Sequence, residues 1–160
     1  MEDEILNSKI LFTDETGGKY NKSNIYVRNY SNEETVLYKS HIRKGHRAIK
    51  NQNILTKFTG GIVHDHDTTM YSYGTEHYEC IIHLGRYLKE IIENVKNITW
   101  AKSLKKLLFE INKERKKQIS QNINCFTDEE IKNYEIKYDE IIALSKKENE
   151  NISYSFYKSK

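Results

Sequence analysis

Two aspartates stand at the ends of short apolar runs. Asp14 closes Ile10-Leu11-Phe12-Thr13-Asp14, and Asp65 closes Gly61-Ile62-Val63-His64-Asp65. Runs of that length and composition predict strands. Between them the sequence predicts a hairpin, a third strand and a helix. That order can lay the first and fourth strands side by side and parallel, with a crossover through the helix. The two carboxylates then meet at one edge of the sheet. Two anions so close repel each other, and a divalent cation relieves the repulsion. Hard oxygen ligands suit Mg²⁺ or Mn²⁺. A pair of such ions about 4 Å apart can activate water and stabilise the leaving oxygen in phosphodiester cleavage. The same two aspartates also read as turn residues that merely end strands.

A second ligand set overlaps the first. In His64-Asp65-His66-Asp67, strand alternation puts Asp65 and Asp67 on one face and His64 and His66 on the other. A His-x-His pair can bind zinc, and His77, Cys80 and His83 are the nearby residues able to complete four ligands. In the alternative reading Cys80 is a small buried apolar group and His83 a hydrogen-bonded helix residue. Nucleophilic catalysis finds no foothold: the chain has neither a G-x-S-x-G turn nor a phosphate-cradling glycine loop.

The elements that must position these groups predict an α/β fold. Strands are expected at 9–15, 25–30 and 35–42 as an antiparallel meander, with Gly17-Gly18 turning the first hairpin. A helix over 45–58, ended by Thr59-Gly60-Gly61, leads to the fourth strand at 61–67. Residues 78–82 read either as a fifth strand or as the start of the next helix. From Cys80 the chain is almost wholly helical. Ile81, Ile82, Leu84, Leu88, Ile91 and Ile92 mark the first stripe, and Thr99 is placed to cap a second helix over 100–119. Thr127-Asp128-Glu129-Glu130 is a capping box that opens a third helix. The expected domains are 8–83, 84–150 and a flexible tail at 151–160.

Composition sets outer limits. The chain has 160 residues, 37% hydrophobic and 31% charged, which suits one domain or one domain with an appendage. No apolar run approaches the roughly 18 residues that a membrane-spanning helix needs, and the acidic N-terminus is unlike a signal peptide. Two cysteines, Cys80 and Cys125, make neither a disulfide framework nor a four-ligand zinc finger by themselves. A reducing, cytoplasmic compartment is therefore expected. Proline is absent. The net charge of +3 conceals a strong pattern. From Thr35 to His64 there is no acidic residue, while Lys39, Arg43, Lys44, Arg47, Lys50 and Lys57 all fall there. Such a stretch is suited to face phosphates, and DNA is the expected partner. Residues 86–117 are also basic, although lysine and glutamate interleave there as on a solvated helix face. Residues 128–150 are acidic.

Four blocks carry a family resemblance: Ile-Leu-Phe-Thr-Asp-Glu-Thr at 10–16, the basic block at 41–49, Gly-Gly-Ile-Val-His-Asp-His at 60–66, and Glu-Cys-Ile-Ile-His-Leu-Gly-Arg-Tyr-Leu-Lys at 79–89. In order and spacing they resemble the core of the DDE-type bacterial transposases numbered sixty-six among insertion sequences. The resemblance implies a ribonuclease H-like mixed sheet followed by an α-helical insertion, two divalent metals, and DNA strand cleavage and joining at transposon ends, with assembly of several copies as a further possibility. It matches Asp14 and Asp65 to the first two catalytic and metal-binding aspartates. It matches Cys80, His83 and Arg86 to a C-x-x-H-x-x-R helix start beside the active site. Lys39, Arg43, Lys44, Arg47 and Lys50 are the expected DNA-binding residues.

The family's third acid, a glutamate in a late N-N-x-A-E-R-type block, has no counterpart here, and neither does its N-terminal DNA-binding region. Asp67 and Glu110 are the possible replacements. The expectation is a truncated transposase core that is inactive alone. The alternatives are a non-catalytic DNA-binding or interaction remnant, and a metal-dependent nuclease with a replacement acid.

Overall fold

β1 (Ile10–Tyr20) and β2 (Ser23–Ser31) form a long antiparallel hairpin in which Phe12 faces Ser31 and Tyr20 faces Ser23. The computed structural model describes residues 1–150, so the tail expected at 151–160 lies outside the described residues. The hairpin turns at Asn21 and Lys22, with φ of 47° and 64°. A two-residue turn with both central residues at positive φ matches the twist of the strands it joins, and asparagine tolerates that conformation. Gly17 and Gly18 do not make the turn, contrary to the sequence expectation. They lie within β1, and the Tyr26 ring sits 3.4 Å from where a Cβ on Gly17 would stand. That is an ordinary contact distance, so the ring does not by itself require a glycine there.

β3 (Val36–His41) adds antiparallel to β2. The chain then crosses through α2 (His46–Gln52) to β4 (Gly61–His64), which runs parallel to β1 with Leu11 beside Ile62. β5 (Glu76–Glu79) pairs parallel with β4 and completes a five-stranded mixed sheet of order β3-β2-β1-β4-β5. The fold is thus α/β, with both parallel and antiparallel pairs. α2 is half the expected length. It stops at Asn53, whose φ of 57° and ψ of 31° end it in the left-handed conformation. Ile54, Leu55 and Phe58 are nevertheless buried, so their spacing reported burial and not helix. β4 stops at His64, short of the expected 67. Residues 76–79 are strand, and the next helix starts at Ile81.

The two faces of this sheet differ. Leu11, Tyr30 and Ile62 point to one side and are fully buried against Ile5, Ile49, Ile54, Leu55, Phe58 and Met70. Ile5 comes from α1 (Glu2–Leu6), an element the acidic N-terminus did not announce. Tyr30 donates its hydroxyl proton to Gln52, and burial pushes the Tyr30 phenol well above its ordinary value. On the other face Phe12 and Tyr78 remain 44% and 43% exposed. Alternation from Phe12 places Asp14 on this open face.

The chain divides into two compact units, Met1–His83 and a second beginning at Leu84. α3 (Ile81–Asn94) starts in the first and continues into the second, which adds α4 (Trp100–Ser120) and α5 (Asp128–Glu150). Gly85 permits α3 and α4 to meet closely, because a Cβ there would lie 2.7 Å from the Phe109 ring. The capping box forms as expected. Glu130 N–H donates to Thr127 Oγ1 at 3.2 Å, and Thr127 N–H donates to Glu130 Oε2 at 2.8 Å. Thr99 does not cap α4 with its own side chain. Instead the Glu148 carboxylate of α5 accepts the Thr99 hydroxyl at 2.6 Å and the Thr99 and Trp100 amides at 2.7 and 3.1 Å. Among the described residues no helix is long and apolar enough to cross a membrane.

These caps carry a pH dependence. The Thr127 amide lowers the Glu130 carboxyl below its ordinary 4.5, and the Thr99 hydroxyl and amide lower Glu148 likewise. A depressed folded-state pKa contributes stability that is present above the unfolded value and lost as pH falls through the folded one. Helical circular dichroism is therefore expected to fall on acidification below about pH 4.5. Glu130→Gln with Glu148→Gln should flatten that acid dependence. An unchanged acid transition in the double variant refutes the assignment.

Candidate metal centre

Three elements of the first unit converge on the open face of the sheet. Asp14 comes from β1, Asp65 follows directly on β4, and His83 lies in the first turn of α3. One ligand atom from each lies within 4.8 Å of the others. His83 Nε2 is 3.7 Å from Asp14 Oδ2. The parallel pairing explains the meeting of the carboxylates. The register that sets Ile10 beside Gly61 and Phe12 beside Val63, carried two residues further, sets Asp14 beside Asp65. The Cys80 amide donates to the His64 carbonyl at 2.8 Å and so fixes the start of α3 against the end of β4. Cys80 contributes through its backbone, and His83 follows one turn later.

Each carboxylate is held by a backbone amide. Glu15 N–H donates to Asp14 Oδ1 at 2.7 Å, and Asp67 N–H donates to Asp65 Oδ1 at 3.3 Å. The second oxygen of each stays available. Two carboxylates and an imidazole, with the Asp14 side chain 46% exposed, form a donor set that a divalent cation fits.

Among the described residues no third carboxylate joins this group. Asp67 is turned to other partners. Its Oδ1 accepts the Thr69 amide at 2.9 Å, and its Oδ2 lies 4.0 Å from Arg28 Nη2. Burial alone would raise the Asp67 carboxyl, but the Thr69 hydrogen bonds and the Arg28 charge outweigh it and leave the group below its ordinary value. Glu110 and Arg86 belong to the second unit.

The alternative zinc set does not assemble among the described residues. Because β4 ends at His64, the alternation expected through Asp67 is not realised. His64 is 1% exposed and meets the rings of Tyr71 and His77 edge-on at 5.0 and 5.4 Å. His66 instead sits 3.0 Å from Glu79. Burial would raise the Glu79 carboxyl, but the Tyr71 and His66 hydrogen bonds prevail and lower it.

The basic stretch is less bare than its sequence. Lys39 pairs with Glu2 of α1 and donates to the Gln52 carbonyl at 2.9 Å. Lys44 lies 3.8 Å from Glu15 and over the Tyr26 ring. Acids distant in sequence thus offset part of the run. Arg43, Lys44, Arg47 and Lys50 remain exposed. Lys44 also lines a pocket of about 350 Å³ together with Asp65, Glu15, Asp67 and Arg28. Arg28 was not singled out from the sequence, although it is 2% exposed and paired with Glu15 at 2.9 Å. Its only sequence signal is position: one residue in two from Tyr30, it must share the core face of β2.

A family model described as "Transposase IS66 family" matches residues 1–155. No curated protein and no solved structure matches the chain.

Proposed function

Because the chain belongs to the IS66 family of transposases, we propose that its first unit is part of a DDE-type catalytic core in which Asp14 and Asp65 hold Mg²⁺ or Mn²⁺ at a DNA phosphate. The convergence of these two carboxylates with His83 carries the reading. The sheet order, with an antiparallel meander and then parallel strands, supports a ribonuclease H-like assignment. A bound divalent cation supplies Lewis acidity toward a phosphodiester. The chain's own residues do the rest. Asp14 and Asp65 each present one oxygen while a backbone amide holds the other. His83 adds a nitrogen donor beside Asp14. Arg43, Lys44, Arg47 and Lys50 bind the DNA backbone, and Lys44 does so from the pocket that Asp65 also lines. Cys80 supports the site through its amide, which ties the helix start to the end of β4.

With no third carboxylate gathered among the described residues, the chain by itself is expected to bind cation and DNA without cutting. The exposed basic residues alone favour the second reading, a non-catalytic DNA-binding role. Two measurements together separate them: supercoiled plasmid with the protein and Mn²⁺, read for both retardation and nicking, and calorimetric titration of the protein with Mn²⁺. Salt-dependent retardation without nicking is expected, weakened about tenfold by Lys44→Ala with Arg47→Ala, with a salt slope smaller by about 2. Nicking that disappears in Asp14→Asn overturns the expected inactivity. Absence of retardation at low salt overturns DNA binding. Retardation with no Mn²⁺ binding leaves the non-catalytic reading.

A further inference from the structure

Arg28 occupies an unusual place for a charge. It sits in the middle of β2 on the core face, 2% exposed, with a buried Nε that has no hydrogen-bond partner. Its Nη1 donates to the Met70 sulfur at 3.4 Å. Its Nη2 donates to Glu15 Oε2 at 2.9 Å and lies 4.0 Å from Asp67 Oδ2. A buried ion pair is a poor device for stability, because desolvation offsets most of the attraction and apolar replacements of similar volume often do as well. Another role is indicated by what the two partners do with their backbones.

The Glu15 amide holds Asp14 Oδ1, and the Asp67 amide holds Asp65 Oδ1. The two residues whose side chains meet at Arg28 are therefore the two whose main chains orient the paired aspartates. One lies on β1 and the other in the turn after β4. A single guanidinium nitrogen, Nη2, addresses both, donating to Glu15 and lying at ion-pair distance from Asp67, while Nη1 is anchored on Met70. Lys44, 3.8 Å from Glu15, is a flexible point charge on the exposed side and does not reach the same pair of residues in this way.

We propose that Arg28 is a positioning residue: through Glu15 and Asp67 it fixes the spacing and orientation of Asp14 and Asp65 from beneath the sheet. The proposal rests on the reading of these aspartates as cation ligands. It makes the Glu15–Arg28–Asp67 set an outer support of the kind that metal sites use to orient their ligands.

The test compares the full chain with Arg28→Met/Glu15→Gln, which removes the buried charge pair together and leaves no lone buried guanidinium. Two quantities are read: Mn²⁺ affinity by titration calorimetry, and amide hydrogen exchange at Glu15 and Asp67 without metal. Expected is a loss of Mn²⁺ affinity of about 10- to 100-fold with exchange at both amides accelerated at least tenfold, while the thermal midpoint stays within a few degrees. Arg28→Lys, which keeps the charge but loses the planar guanidinium whose Nη1 is anchored on Met70, should recover less than half of the affinity loss on a logarithmic scale. Unchanged amide exchange at Asp67 overturns the proposal, whatever the metal does. So does an unchanged Mn²⁺ affinity when Asp14→Asn abolishes it. If the parent chain binds no Mn²⁺, the cation reading fails separately and amide exchange alone decides for or against the clamp.

Discussion

Asp14→Asn is expected to weaken Mn²⁺ binding about 100-fold or more, with little change in stability. The substitution keeps the shape of the side chain. The amide oxygen can still accept the Glu15 N–H, the bond that orients the native carboxylate. Its nitrogen then takes the place of Oδ2, the atom 3.7 Å from His83 Nε2. A donor replaces a ligand, and one negative charge leaves a site that has only two carboxylates among the described residues. Loss of an outer support commonly costs a metal site 10- to 100-fold, and loss of a ligand should cost no less. Because the Asp14 side chain is 46% exposed, no buried group is stranded and the fold should tolerate the change. Calorimetric titration with Mn²⁺ measures the affinity. A thermal shift adds an independent check, since saturating cation should raise the midpoint of the parent chain and not that of the variant. Equal affinities for both proteins sink the assignment of Asp14 as a ligand.

Gly60→Ala should be the most damaging small substitution in the sheet. A Cβ at Gly60 would stand 2.5 Å from the Lys9 carbonyl oxygen and 2.6 Å from the end of the Phe58 ring. The ring is buried in the core and yields only by repacking it. The carbonyl is held in place as well, because it accepts the Gly61 amide at 2.9 Å and so opens the pairing of β1 with β4. The Gly60 carbonyl itself receives the Thr75 amide at 3.1 Å, ahead of β5. One methyl group therefore strains the junction of three strands, at a cost of about 1–3 kcal/mol or more for overpacking of this type. It should also weaken Mn²⁺ binding, since Asp14 and Asp65 meet only through the β1–β4 register. Gly18→Ala is the control. Its Cβ would meet only the Ile25 side chain at 3.8 Å, an ordinary contact. Urea unfolding of the two variants should differ by at least 1 kcal/mol. Equal midpoints would show that the junction relaxes freely.

Much of this arrangement is legible before any coordinates. The apolar runs ending in Asp14 and Asp65, and the order of elements between them, are enough to expect a parallel pair and adjacent carboxylates. Local rules also worked where the partners are local, as in the Thr127–Glu130 capping box. They failed where the partner is remote. Glu148 caps α4 from another helix, and no rule of spacing relates it to Thr99. Glu2 offsets Lys39 across the chain, so a basic run in sequence is less basic in space. Ile5 reaches the core from a segment whose charges pointed to solvent. Gly17-Gly18 looked like a turn because glycine pairs usually are, whereas the two residues pair with Tyr26 and Ile25 inside the hairpin. Arg28 is the instructive miss. A charged residue in a strand reads as solvent-facing, and only the cross-strand register that brings Glu15 opposite reveals a buried pair.

The crossover between β1 and β4 has a consequence in time. The meander of β1, β2 and β3 needs only short loops and can form early, as hairpins do within microseconds. Asp65 arrives beside Asp14 only after the chain has passed through β3 and α2 and closed a much longer loop. A cation shared by the two aspartates would then bind to a contact made late on the folding route. Such a contact slows unfolding far more than it speeds folding. Metal at this position would act as a latch on an already assembled sheet, lengthening its lifetime while leaving its rate of assembly almost untouched.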